Sequence, residues 1–360
     1  MFFGSDNSSP AHPSILDALV DANKGYTSGY GHEDAMHNVT KKIQDLFEAP
    51  NASVYLVATG TAANSLALAT ITKPWETIFC HKHSHIEEDE CGAPEFYTNG
   101  AKLTLVDGQD AKISPKSLYE AINFYSNKEV HNIQNGSLSI TNVTEFGTVY
   151  SLKEIQELTN IAKSNGLKTH LDGARFSNAM VALECTPAQL TWKSDIDVVS
   201  FGGTKNGCLA VEAVIFFDPR MAWEFELRRK RGGHLVSKHR TLSAQMEGYL
   251  KNDLWIKLAK QANSECQNLL AELKKIPDVE ILHPTQANLI FALIPEKLHT
   301  TLSAKGAKYN FWTNQMLPND VPKDKIKIRL ACSWSTTKSE IDHLLAVSYT
   351  HLTLPTKRIV

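Results

Sequence analysis

Asp197-Val198-Val199-Ser200-Phe201-Gly202-Gly203-Thr204-Lys205-Asn206-Gly207 is a short apolar run that ends in a lysine set between glycines. The run reads as a strand and the glycines as the turn that leaves it. Glycine lets the backbone approach a ligand closely. An amine desolvated at such a place can lose its proton and act as a nucleophile. A loop lysine taken alone is ordinarily a solvated surface residue, so its neighbours must decide its role.

The same pattern recurs upstream and downstream. Val54–Val57, Thr77–Phe79, Lys102–Val106, Ser137–Ile140, Lys168–Leu171 and Ala213–Phe217 are further strand candidates, several of them separated by helical stretches such as Leu152 to Ser164. Short apolar strands alternating with helices predict an α/β fold with a mostly parallel sheet covered on both faces. Two helical patterns precede them, one around Ile15, Leu16 and Leu19, and one carrying Val39, Ile43, Leu46 and Phe47. After about Thr241 comes a long helical region past Leu273. Strands at Val279–Leu282, Leu289–Leu293 and Ile326–Leu330 follow, then a helix from Lys338 to Val347. This predicts an N-terminal segment and large domain over residues 1–240 and a smaller α+β domain over 241–347. Residues 348–360 look foreign to the closing helix and are expected to be a non-native tail.

Composition excludes several classes. The chain is 360 residues long, 42% hydrophobic and 21% charged, so it can build a normal core and is not expected to be disordered. A net charge of -2 provides no basic field for nucleic acid. No run reaches the ~18 apolar residues of a membrane helix, and the N-terminus lacks a signal-peptide pattern. The six cysteines are scattered with no CxxC pair, which suits free thiols and a cytoplasmic location.

Four other stretches join the lysine. Leu171-Asp172-Gly173-Ala174-Arg175 puts an aspartate at the end of a strand, where α/β proteins bind ligands; its plainer role is to cap the next helix. Ala58-Thr59-Gly60-Thr61-Ala62-Ala63-Asn64 is a strand-to-helix turn whose N–H groups can cradle a phosphate. His81 and Lys82-His83-Ser84-His85-Ile86-Glu87 hold three histidines, suited to stacking on a flat ring or moving a proton. Their spacing fits no standard zinc pattern, so no metal is expected. Ile328-Arg329-Leu330-Ala331-Cys332-Ser333 offers a guanidinium for a carboxylate. A phosphate cradle, a ring-nitrogen partner, an amine, a stacking imidazole and arginines are the parts of a pyridoxal-phosphate site.

With those motifs in that order, the chain resembles the threonine aldolase family of fold-type I pyridoxal-phosphate (PLP) enzymes. The likeness runs from Ser5-Asp6 to about Val347. Gly202–Gly207 and Asp89-Glu90-Cys91-Gly92-Ala93-Pro94-Glu95 are similar to the low-specificity L-threonine branch. The resemblance implies an aspartate aminotransferase-like architecture with a seven-stranded sheet and a smaller C-terminal domain. It implies that Lys205 carries PLP, Asp172 meets the ring nitrogen, His85 stacks on the ring, and Gly60 and Thr61 hold the phosphate. It assigns the substrate carboxylate to Ser5, Arg175 and Arg329, an active-site position to Tyr30, and a second histidine near the substrate hydroxyl to His131. The catalytic base is left between His85 and His131.

Two departures from the family pattern bear on substrate preference. His32 and Glu33 follow Tyr30-Gly31 in place of two acidic residues, and Asn142-Val143-Thr144-Glu145 replaces an asparagine-histidine segment. The basic run Arg228–Arg231, with Lys238 and Arg240, reads first as a solvated face. The resemblance places that region near a neighbouring subunit's phosphate and implies a homodimer or homotetramer with shared sites. The implied reaction is cleavage of L-threonine or L-allo-threonine to glycine and an aldehyde. A phenylserine aldolase, a β-eliminating lyase, an aminotransferase and a non-catalytic PLP-binding homologue remain as alternatives.

Overall fold

The computed structural model describes residues 1–126, 129–312 and 324–353. Seven strands form the larger sheet: β1 (Ser53–Val57), β2 (Glu76–His81), β3 (Lys102–Val106), β4 (Gln134–Thr141), β5 (Lys168–Gly173), β6 (Val198–Gly202) and β7 (Glu212–Phe216). Their spatial order is β1-β7-β6-β5-β4-β2-β3. β7 is antiparallel to both neighbours, and every other pair is parallel. β6 and β7 are buried at every position, as expected of strands covered on both faces.

Alternation along each strand feeds two cores. Val57, Ile78, Cys80, Val198, Val214 and Phe216 pack with the helix Gly60–Ile71. Leu56, Phe79, Ile140, Leu171, Val199, Phe201 and Ile215 face the other way, toward the helices Asp34–Leu46, Leu152–Ser164 and Arg240–Leu250. The helix Leu152–Ser164 starts on a capping box, in which Ser151 and Glu154 satisfy each other's backbone N–H. The long helical region breaks at Asn252 and Asp253, both with positive φ, before the helix Leu254–Leu273.

A second sheet, antiparallel throughout, has the order β10-β11-β9-β8. It comprises β8 (Glu280–Ile281), β9 (Leu289–Pro295), β10 (Asn310–Phe311) and β11 (Lys325–Ala331). β10 was not expected; two exposed residues carry no alternation signal. The first residues of the chain join this sheet's core. Phe3 is buried there, its N–H donating to the Lys308 carbonyl and its carbonyl accepting from Ala331.

The closing helix runs Lys338–Thr353 rather than stopping at Val347. Ser348 is buried and its hydroxyl bonds the Leu344 carbonyl at 2.9 Å. No proline intervenes before Pro355, so nothing in residues 348–353 breaks the helix. The rest of the expected tail, 354–360, lies outside the described residues.

Phe201, the residue before the Gly202-Gly203 turn, is buried among the rings of Phe47, Phe176, Tyr249 and Trp255. Phe201→Ala should destabilise the protein by about 3–5 kcal/mol through the cavity it leaves. Chemical denaturation checks this.

Candidate active site

The parallel strands deliver their carboxyl ends to one edge of the sheet, where open α/β folds bind ligands. Lys205 follows β6 in a single turn, Thr204–Asn206. That turn is fastened on several sides. Gly203 N–H donates to the Val211 carbonyl (3.1 Å), and His12 N–H to the Gly207 carbonyl (2.8 Å). Asn206 Nδ2 donates to the Tyr249 hydroxyl (2.7 Å) and the Trp255 carbonyl (2.9 Å). A Cβ at Gly202 would stand 2.4 Å from the Ala174 carbonyl oxygen, so only glycine lets the two loops pass. The Lys205 amine is half-buried and has no hydrogen-bond partner among the described residues.

Asp172 is the penultimate residue of β5, buried, with Oδ1 accepting from Ala174 N–H at 3.1 Å. Arg175, just beyond, is buried and spends two of its nitrogens on Asp6. Nε donates to Oδ2 at 2.6 Å and Nη2 to Oδ1 at 3.0 Å. Burial pushes the Asp6 carboxyl up, but the charges of Arg175 and Lys205 and hydrogen bonds from Arg175 and Asn288 hold it at about 2. Asn288 Nδ2 bridges Asp6 Oδ2 (3.1 Å) to the Cys332 carbonyl (2.9 Å). Arg329 on β11 approaches the same place. Its Nη2 lies 3.4 Å from the Gly4 carbonyl, and its Nε is buried without a partner among the described residues. Burial and then the charge of Arg175 lower the Arg329 pKa, while Glu145 and Asp6 oppose them.

His85 opens the short helix His85–Glu88 after β2. Its Nδ1 meets Glu90 Oε1 at 2.8 Å. Glu90 in turn accepts from Asn64 Nδ2 (2.9 Å) and Ser65 (3.4 Å), in the first turns of the helix Gly60–Ile71. Burial pulls His85 down. The Glu90 hydrogen bond and the charges of Glu145 and Asp172 outweigh it, so its pKa is raised. Burial likewise raises Glu90. Thr59 caps that helix through Ala62 N–H, and a Cβ at Gly60 would meet nothing within 4 Å. Gly60 and Thr61 open that helix, so their N–H groups have no intrahelical acceptor, and the space beside Gly60 leaves room for a phosphate.

Lys205, Asp172, His85, Arg175 and Arg329 thus converge on one edge, linked by each other's charges. Other expected residues are not brought into that group. His131 lies exposed before the amino end of β4, and β4 spans eight residues, ~25 Å of strand, before reaching the site edge. Within this chain His131 does not meet the others. Ser5 uses its hydroxyl locally, accepting from Asn7 N–H at 3.2 Å. Tyr30 is exposed, with Lys230 Nζ 5.0 Å from its ring. Lys238 is exposed, and Arg240 donates to the Gly25 carbonyl at 3.0 Å.

The family model described as beta-eliminating lyase matches residues 3–296. The low specificity L-threonine aldolase of Pseudomonas aeruginosa is 37% identical over 343 residues, 95% of each chain. This chain belongs to the beta-eliminating lyase family, on its low-specificity L-threonine aldolase branch. A second member of that branch, from a Pseudomonas species, is 37% identical over 344 residues, 96% of each chain. The solved threonine aldolase of Leishmania major superposes with a TM-score of 0.89 at 26% identity, covering 97% of this chain and 98% of that one.

Three carboxylates of this family member were not singled out from sequence. Asp6 and Arg175 are 169 positions apart, and no local pattern announces their pairing. Glu145, nine-tenths buried, acts by charge on His85, Arg175 and Arg329. Glu212 opens β7 opposite Gly202 and accepts from Gly203 N–H at 3.1 Å. Burial pushes Glu212 up to about 7 against the pull of Thr204 and of the Lys205 charge. The folded protein therefore binds an extra proton between about 4.5 and about 7, and this group's contribution to stability falls as pH rises through that window. Glu212→Gln removes the titration. Its stability relative to the parent protein should rise between pH 5 and pH 8 by on the order of 1–3 kcal/mol, read from urea unfolding at both values.

Proposed function

We propose that this chain is a PLP-dependent aldehyde-lyase that cleaves L-threonine and L-allo-threonine to glycine and acetaldehyde. The observation that carries this is the convergence, at one sheet edge, of a lysine amine unpartnered among the described residues, a buried aspartate, the buried Arg175 guanidinium and the half-buried Arg329. The two Pseudomonas relatives bear the name of that activity over nearly their full length.

The residues fit the cofactor. Lys205 would hold it covalently, Asp172 would face its ring nitrogen, His85 would lie on its ring, and Gly60 and Thr61 would take its phosphate. When bound, PLP supplies the electron sink for breaking the Cα–Cβ bond. The chain supplies the rest. Arg329, with a buried Nε still unpaired, and Arg175, with Nη1 left over from Asp6, bind the substrate carboxylate, assisted by Ser5. Asp6 keeps Arg175 oriented while cancelling part of its charge.

His85 is the base we assign to the β-hydroxyl proton. Its Nδ1 is committed to Glu90, which leaves Nε2 to accept. Glu145 is the second candidate by its charge on the same groups. Tyr30 is retained as a substrate neighbour. A homodimer or homotetramer in which Lys238 and Arg240 reach another subunit's phosphate completes the proposal. The free cysteines support a reducing compartment such as the cytoplasm. Among the described residues no helix is long and apolar enough to cross a membrane.

Borohydride reduction of the PLP-loaded protein should trap a pyridoxyl group on Lys205 by mass spectrometry, and L-threonine should release acetaldehyde. Lys205→Ala should lose the trapped group and at least ~10²-fold in aldehyde formation. Trapping without aldehyde, but with keto acid or ammonia, would move the activity to an aminotransferase or a β-eliminating lyase.

Because Glu90 raises the His85 pKa, Glu90→Gln should move the acidic limb of the kcat/KM profile to lower pH. An unmoved limb would remove His85 from the role of base.

A further inference from the structure

A buried carboxylate–imidazole–hydroxyl cluster lies outside the groups assigned above. Glu33 precedes the helix Asp34–Leu46; His239 precedes the helix Arg240–Leu250, and Ser243 lies in that helix's first turn. Glu33 Oε1 accepts from the Ser243 hydroxyl at 2.6 Å and lies 2.8 Å from His239 Nδ1. All three side chains are essentially inaccessible to solvent. Glu33 is acceptor-only when ionised, so the network assigns the imidazole proton to Nδ1. Two valences remain. His239 Nε2 and Glu33 Oε2 are buried with no partner among the described residues. A polar network left half-satisfied inside a protein is costly, and an apolar pair of the same shape would avoid that cost.

The cluster joins two segments that carry assigned residues. Tyr30 and Gly31 both have positive φ, 59° and 90°. Tyr30 N–H donates to the Ser237 carbonyl at 3.1 Å, and a Cβ at Gly29 would come within 2.7 Å of that carbonyl oxygen. Gly31 rests on the His239 ring, its ideal Cβ position 3.7 Å from Cε1 and Nε2. On the other side of His239 stand Lys238 and Arg240, and Arg240 reaches back to the Gly25 carbonyl. The Tyr30–Gly31 turn and the Lys238–Arg240 segment are therefore one clasp, closed by the two buried charge-assisted hydrogen bonds that Glu33 accepts from His239 and Ser243.

We infer that Glu33, His239 and Ser243 are positioning residues that hold Tyr30 toward the substrate of a neighbouring subunit and Lys238 and Arg240 toward that subunit's phosphate. This rests on the aldolase reading. The three residues touch neither ligand themselves. They set the backbone from which the contacting side chains project.

The test compares the holoenzyme with His239→Leu, which removes the donor, and His239→Asn, whose amide can replace Nδ1–H. KM and kcat for L-threonine, the Kd of PLP for the apoprotein and the Tm are measured for each. His239→Leu should raise KM and the PLP Kd about tenfold each with kcat nearly unchanged, the worth of one such hydrogen bond. His239→Asn should restore most of both. A fall in Tm with KM and PLP Kd unchanged would reduce the cluster to a packing element and overturn the inference. Should His239→Leu not fold, Ser243→Ala removes one donor at small volume change, and the same comparison decides. Should the parent protein cleave no β-hydroxy amino acid, the aldolase reading fails by itself. The PLP Kd then still separates the outcomes: a rise in His239→Leu supports the clasp, and no rise refutes it.

Discussion

A single carboxylate, Asp6, holds the site together. It takes the two-pronged grip of Arg175, which leaves β5, and it accepts from Asn288, which also bonds the Cys332 carbonyl beyond β11. Three remote parts of the chain meet on its two oxygens: the N-terminal segment, the carboxyl edge of the larger sheet and the four-stranded sheet. A buried ion pair of this kind gains little over apolar packing in net stability, but breaking one side leaves a stranded charge. Its value is geometric. It fixes where Arg175 stands, how far Arg329 can approach, and how much positive charge the edge carries around Lys205.

The remaining groups are arranged in the same economical way, each oriented by another that does not face the ligand. Glu90 turns His85 and is itself held by Asn64 and Ser65 from the helix that presents Gly60 and Thr61. Asn206, Tyr249 and Trp255 pin the turn that presents Lys205. Glu212 sits beneath that turn, neutralised in part by burial. The supporting polar atoms are thus spent largely on one another, and at the edge Arg329 Nε is left without a partner among the described residues. A buried donor without a partner, such as Arg329 Nε, is costly until an acceptor oxygen meets it.

Strand positions were legible because strands covered on both faces are short and largely apolar, and Val198–Phe201 and Ala213–Phe216 are each followed by turn residues. The glycines at 202 and 203 were legible as a close approach, and the 2.4 Å contact that a Cβ would make with the Ala174 carbonyl is its physical basis. Elements without such a signal were missed or misjudged. β10 is two exposed residues, and the closing helix runs on through Thr353 because nothing before Pro355 stops it. Lys205, Asp172, His85, Arg175 and Arg329 were each chosen from local motifs, and the structure brings those five together. His131 stands in no local motif, and it lies before the amino end of β4, away from the site edge within this chain.

Sequence alone determined the alternation of strand and helix, the residues able to bind a phosphate, an amine-reactive carbonyl and a carboxylate, and the family they resemble. These are encoded within short windows, where hydrophobic period, glycine and side-chain chemistry act through neighbours on the chain. Only the tertiary structure decided that Asp6 rather than a ligand occupies two nitrogens of Arg175. It also decided that Glu145 and Glu212 stand beside the expected cations, and that Glu33 finds His239 across 206 positions. Those pairings depend on which elements become adjacent when the sheet closes and on how dry the contact is. Charge and desolvation act through space, and spacing along the chain does not report them.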